Sequence, residues 1–287
     1  MKRILLCTDG SSFSQVSYHY AAWLATQLLA TIDILYVTDD QSQVAARSRD
    51  LSGTIGIDSS ETLLHKLVEL EHEKAKLAHH HAKQILQDAQ LVIKGYGVED
   101  VNLMHETGSL VDRFHEFEAR ADLVVLGKRG ESAGMAAGHL GANTERIIRA
   151  SHRPCLVTSQ AFHPIERLLL AYDGSASCQQ MLQFLVDSPA FQGLDLHIIT
   201  VARNVDDATS ISRLDDAKRM TRTAGFEPMG QVIQGDPEIA IAQYAEAANV
   251  NLLLMGAYGH RRIRRLVIGS TTTQILQSSD ISVLLFR

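Results

Sequence analysis

Little cysteine, no long apolar run and no excess of positive charge mark this chain of 287 residues. Its three cysteines, Cys7, Cys155 and Cys178, are an odd number without C-x-x-C or metal-type spacing. That pattern excludes a disulfide scaffold or a cysteine-held zinc knuckle, and the cytosol is the expected compartment. The apolar run near the amino terminus, Ile4 to Cys7, falls far short of a signal peptide's apolar segment or the roughly 18 residues of a membrane span. Neither export nor a membrane partner is expected. The formal net charge of -6 argues against general nucleic-acid binding, which favours a broad basic surface. Catalytic signatures are missing as well: the sequence shows no nucleophile elbow, no P-loop with its Gly-Lys-Ser ending, no deaminase signature and no SGG-type pyrophosphatase loop.

What is present is a repeat. RILLCTDGS at 3–11 returns as RLLLAYDGS at 167–175, ADLVVLGKRG at 121–130 as VNLLLMGAYG at 250–259, and GANTERIIRASHRPCLVTS at 141–159 as GSTTTQILQSSDISVLLFR at 269–287. Copies of more than a hundred residues are too long for solenoid units and suit two homologous domains, 1–160 and 161–287, joined near SQAFHPI.

In the second copy, RLLLAY, LDLHIITV, MGQVIQ, VNLLLM and ISVLLF are short and apolar nearly throughout, as strands covered on both faces should be. Between them, CQQMLQFLV and PEIAIAQYAEAA carry apolar residues at three- and four-residue spacings, with Pro237 placed for a first helical turn. Alternation of this kind predicts an α/β fold: two tandem, doubly wound domains, each with a five-stranded parallel sheet. The first copy carries extra residues between its second and third strands, chiefly a polar helical stretch from Ser59 to Gln90 with Ser60 at its expected capped start. Its His65, His72 and His79 recur every seven residues, about 10.5 Å apart along a helix and too far to share one ion. A solvated polar face is expected there, not a metal site.

The chemistry gathers after VNLLLM, at the carboxyl end of a strand, where ligands sit in open parallel sheets. Gly256 and Gly259 permit close approach of a ligand to the backbone. After nine intervening residues, Gly269 and Ser270 open a helix whose N–H groups would point at an anion, and Ser270, Thr271 and Thr272 add hydroxyls. Arg261, Arg262, Arg264 and Arg265 lie between them, as cations for a polyphosphate or as a solvated or partner-binding face. This G-x2-G-x9-G-S pattern, with the Asp-Gly-Ser that ends the first strand of the copy, resembles the ATP-binding signature of the universal stress proteins, and the resemblance spans both copies. It implies an adenine nucleotide alpha hydrolase-like sheet of order 3-2-1-4-5. It also implies adenosine near Asp173 and the backbone around Val201, and phosphates at Gly256, Gly259, Gly269, Ser270 and Thr271. Asp173 is equally placed to cap the helix that follows it, and the two roles are compatible.

The first copy departs from the pattern. Ten residues, 131–140, separate Gly130 from Gly141, Ala142 stands where the second copy has Ser270, and Lys128 and Arg129 are the only cations nearby. Its phosphate support is incomplete, although Asp9 is retained. The resemblance implies a cytosolic ATP-binding sensor or regulator in stress tolerance, using ATP with or without Mg and acting on a protein partner. Two other readings stand beside it: a slow Mg-dependent ATPase using the same loop, and an interaction module that binds no nucleotide. Family members commonly pair through their last strands, so PCLV and SVLLF are expected to meet as an intrachain pseudo-dimer, with a further homodimer compatible.

Overall fold

The computed structural model describes residues 2–38, 57–130, 140–257 and 268–287, with side chains from residue 65 onward in the helix that opens at Ile57. The first half runs β1 (Arg3–Cys7), α1 (Ser12–Leu28), β2 (Thr31–Thr38), α2 (Ile57–Lys94), β3 (Val101–Thr107), α3 (Leu110–Glu118), β4 (Leu123–Gly127), α4 (Ala142–Ala150) and β5 (Cys155–Thr158). The second runs β6 (Arg167–Ala171), α5 (Ala176–Asp187), β7 (Asp195–Ala202), α6 (Ala208–Thr223), β8 (Met229–Gln234), α7 (Pro237–Ala247), β9 (Leu252–Gly256), α8 (Ser270–Ser278) and β10 (Ser282–Phe286).

All pairings within a half are parallel, and the strand order β3-β2-β1-β4-β5-β10-β9-β6-β7-β8 gives each half the expected 3-2-1-4-5 arrangement. The halves meet where β5 and β10 pair antiparallel, Leu156 opposite Leu284, so PCLV and SVLLF join two sheets into one of ten strands. Successive residues of a strand face opposite sides, and both sides are apolar. Ile4, Leu6, Leu168, Leu170, Leu252 and Leu254 enter the core on one face, while Leu5, Leu169, Leu253 and Met255 enter the other. Each core draws on both halves. The seam is therefore continuous with the interior and does not resemble a contact between finished globules.

Polar groups reinforce the seam. The Ser159 N–H donates to Ser282 Oγ at 3.0 Å, and the Ser159 hydroxyl lies 3.1 Å from Tyr20 OH. Lys128, 4% exposed, donates through Nζ to the Ser279 carbonyl at the end of α8. Arg287 donates to the Ser151 carbonyl at 2.9 Å.

The inserted helix begins earlier than the sequence suggests. It opens at Ile57, so Ser60 lies inside it and not at its entrance. From Ala82 onward its inner face is buried through Ile85, Leu86, Ala89 and Ile93, whereas residues 65–77 are exposed. His79 meets the edge strand, its Nδ1 3.2 Å from His105 Nδ1, and His65, His72, His80 and His81 are exposed.

Candidate functional site

The carboxyl ends of β6, β7 and β9 and the amino end of α8 enclose a hollow of about 360 Å³ in the second half. Its wall includes Asp173, Val201, Gly256, Gly269, Ser270 and Thr271, so the structure brings together all the sequence-selected residues it describes. Gly259 and the four arginines of the loop lie outside the described residues.

Each wall has a local cause. Gly174, at φ +75°, turns the chain sharply after β6, and the Asp173 carboxylate accepts the Ser175 N–H at 2.8 Å. Ser175, not Asp173, caps α5 by accepting the Cys178 N–H at 3.3 Å. Ile199, Ile241 and Met255 form an apolar floor. On the side of α8, Thr272 donates to the Gly256 carbonyl at 3.1 Å and the Gly269 N–H to the Ala257 carbonyl at 3.0 Å, which fixes the start of α8 against the end of β9. Helices α5, α6 and α7 have their first amides met by side chains of Ser175, Asp207 and Asp236. Gly269 supplies no such side chain at α8. The positive end of that helix thus opens on the hollow, a favourable place for an anion.

Two lining residues have parts that the sequence reading did not assign to them. Arg213, on α6, donates to the Asp173 carbonyl at 3.1 Å and lies where a Cβ on Gly174 would meet it. It sits in a charged helix with no spacing to distinguish it from a solvated face. Thr272 was noticed only as one hydroxyl among three, although it is buried and ties the helix to the strand.

The corresponding hollow in the first half is about 80 Å³, lined by Asp9, Gly127, Arg129, Gly130, Asn143 and Thr144 among others. The same tie is present, since Thr144 donates to the Gly127 carbonyl at 2.9 Å. The space differs. A Cβ at Gly130 would lie 2.3 Å from Asp9 Oδ2, so the loop backbone runs close against that carboxylate. Lys128 is not turned to this hollow; it is directed to Ser279 across the seam, and burial holds its ammonium well down, to about 8. Arg129 stands over the Phe13 ring at 5.7 Å.

The universal stress protein family profile matches residues 1–159 and again 164–287. The chain belongs to the universal stress protein family. A universal stress protein of a Synechocystis species is 52% identical over 287 residues, the full length of both chains. One from Mycolicibacterium smegmatis is 23% identical over 238 residues, covering 77% of this chain and 79% of that one. Among solved structures, a universal stress protein from Archaeoglobus fulgidus superposes with a TM-score of 0.67 at 20% identity, covering 99% of this chain and 95% of that one, which shows a shared fold. In this universal stress protein, both copies of the fold lie in one chain, and their hollows measure about 80 and about 360 Å³.

Proposed function

We propose that this protein binds one ATP per chain in the second half, with or without Mg, and acts as a nucleotide-dependent regulator whose bound form a partner protein reads. The observation that carries this reading is the 360 Å³ hollow, which gathers Asp173, Val201, Gly256, Gly269, Ser270 and Thr271 in front of a helix end lacking a side-chain cap. Adenosine is assigned to the apolar floor beside Val201, with Asp173 as acceptor for ribose hydroxyls. Phosphates are assigned to the backbone at Gly256, Gly269, Ser270 and Thr271. A ligand that binds only the native state stabilises it, so occupancy of the hollow becomes a signal in the conformational equilibrium of the chain. The first half, with its 80 Å³ hollow, is assigned no nucleotide.

Ser270→Pro tests the assignment with little cost to the fold. Ser270 is the first helical residue, where proline is tolerated, and Gly269 before it has φ -59° and ψ 147°, a conformation proline accepts in its predecessor. The change deletes one amide and one hydroxyl donor. A hydrogen bond to a charged group contributes about 1.5–3 kcal/mol, so calorimetry should record ATP binding weakened by about 10- to 100-fold. Wild-type protein should bind one equivalent. Two equivalents, no heat, or unchanged affinity in the variant would refute the proposal. Phosphate release during the titration would reassign the site to a slow ATPase.

A further inference from the structure

A second cluster lies on the opposite end of the first half, independent of the nucleotide assignment. Glu118, the last residue of α3, is 3% exposed, and its two carboxylate oxygens face different surroundings. One, Oε1, accepts hydrogen bonds from the Ser151 hydroxyl and from the N–H groups of His152 and Arg153, in the turn between α4 and β5. The other, Oε2, faces two imidazoles: His115 Nδ1 at 3.3 Å and His152 Nδ1 at 3.6 Å. The ligand atoms of the three residues lie within 4.8 Å of one another.

We propose that His115, Glu118 and His152 form a binding site for a divalent transition ion of the zinc class, with an outer position open to water. Zinc takes imidazole nitrogen and carboxylate oxygen at about 2.0–2.2 Å, and a tetrahedron of such bonds sets neighbouring donor atoms about 3.4 Å apart. The two nitrogen-to-oxygen separations straddle that spacing. His115 and Glu118 sit one helical turn apart, so their side chains share a face. The carboxylate is prepared for the ion. The Ser151 hydroxyl and the His152 and Arg153 N–H groups orient it through Oε1. Oε1 is thereby occupied and Oε2 left aimed outward, an arrangement in which neighbours orient a metal-binding carboxylate.

The outer side of the site is accessible, with His115 and His152 side chains 40% and 72% exposed. Nor does the fold itself require these residues. Aligning the copies places Tyr244, Ala247 and Asp280 at the matching positions of the second half. The hard oxygen shell that calcium or magnesium needs is not offered by two imidazoles, which favour zinc, copper or nickel. Bound metal would tie the end of α3 to the turn that carries His152. The Ser151 carbonyl of that turn also receives Arg287 from the last strand of the second half.

The test is titration of EDTA-stripped full-length protein with zinc chloride by calorimetry, with His152→Ala and His115→Ala alongside. Wild type should bind one ion at this site, and each alanine variant should weaken that binding by more than about tenfold. His152 is exposed enough that its removal leaves packing intact, and matching circular dichroism confirms it. Ser151→Ala frees Oε1 to turn and should lower zinc affinity by about 10- to 100-fold with both imidazoles in place. Absence of zinc binding would overturn the proposal. So would wild-type affinity in both histidine variants, or loss of binding only when His79, His80 and His81 are replaced.

Discussion

Replacing Lys128 with methionine should flatten the stability of this protein between pH 8 and pH 10.5. The lysine leaves β4 and is buried at the seam, where burial and the nearby Arg129 lower its pKa from 10.5 to about 8 against the opposing pull of Asp280. Unfolded chains keep that proton until about pH 10.4, whereas the native protein releases it near pH 8. Over this interval the unfolded state binds more protons, so stability attributable to Lys128 rises with pH. The full swing is about 3 kcal/mol, from a pKa difference between about 8 and 10.5. At neutral pH the same quantity acts against the folded state, net of the bond that the ammonium donates to the Ser279 carbonyl. Lys128→Met removes that cost and should be no less stable than wild type at pH 7. Urea unfolding of both proteins at pH 7 to 10.5 and constant ionic strength isolates the effect, since other titrating groups cancel in the difference. Wild type should gain about 3 kcal/mol relative to the variant across the range. Parallel profiles, or a relative loss, would refute a lysine that is buried at the seam.

Two further outcomes concern the shared core and the inserted helix. Leu284→Ala, at a position 2% exposed and opposite Leu156, should cost about 2–5 kcal/mol in one cooperative transition. Trp23, 6.3 Å from Phe191 of the other half, should change fluorescence together with far-ultraviolet circular dichroism; separated transitions would show that the halves unfold independently. Burial first, then neighbouring His79, lowers the His105 pKa, with Glu106 opposing. A histidine whose folded pKa lies below its unfolded value of about 6.5 loses stability as pH falls through that value. Amide protection of Ala82 to Ile93 in α2 should accordingly decline on acidification from pH 7 to 5, less so in His79→Ala, and equal decline in both would remove the histidine pair as the cause.

The fold was legible in the sequence because both faces of every central strand are covered, leaving apolar runs such as RLLLAY and VNLLLM with little else to be. Pairing at the seam was legible only through the family resemblance; nothing in PCLV or SVLLF by itself names a partner strand. Helix α6 was not foreseen, and the reason is physical. Its inner face consists of Ser210, Leu214, Ala217 and Thr221, correctly spaced but small or polar, so a count of large apolar residues passes over it. Arg213, which α6 delivers to the hollow, was missed with it. The trio at Glu118 was equally hidden. His115 and Glu118 show helical spacing, but His152 joins them only because β4 and α4 return the chain to the end of α3.

The difference between the halves follows from where each spends its polar groups. The two helices that face the hollows, α4 and α8, begin alike, on a glycine without a capping side chain and with a threonine tied to the preceding strand. What distinguishes them lies just upstream. In the first half the glycine loop presses Gly130 onto the Asp9 carboxylate, and Lys128 is committed to the Ser279 carbonyl of its neighbour. Restoring a phosphate site there by Ala142→Ser alone would supply the missing hydroxyl but not the space. An anion brought to that helix end would still meet the negative charge of Asp9. The hollow there is about 80 Å³ against about 360 Å³ in the second half, and a hydroxyl on residue 142 does not enlarge it.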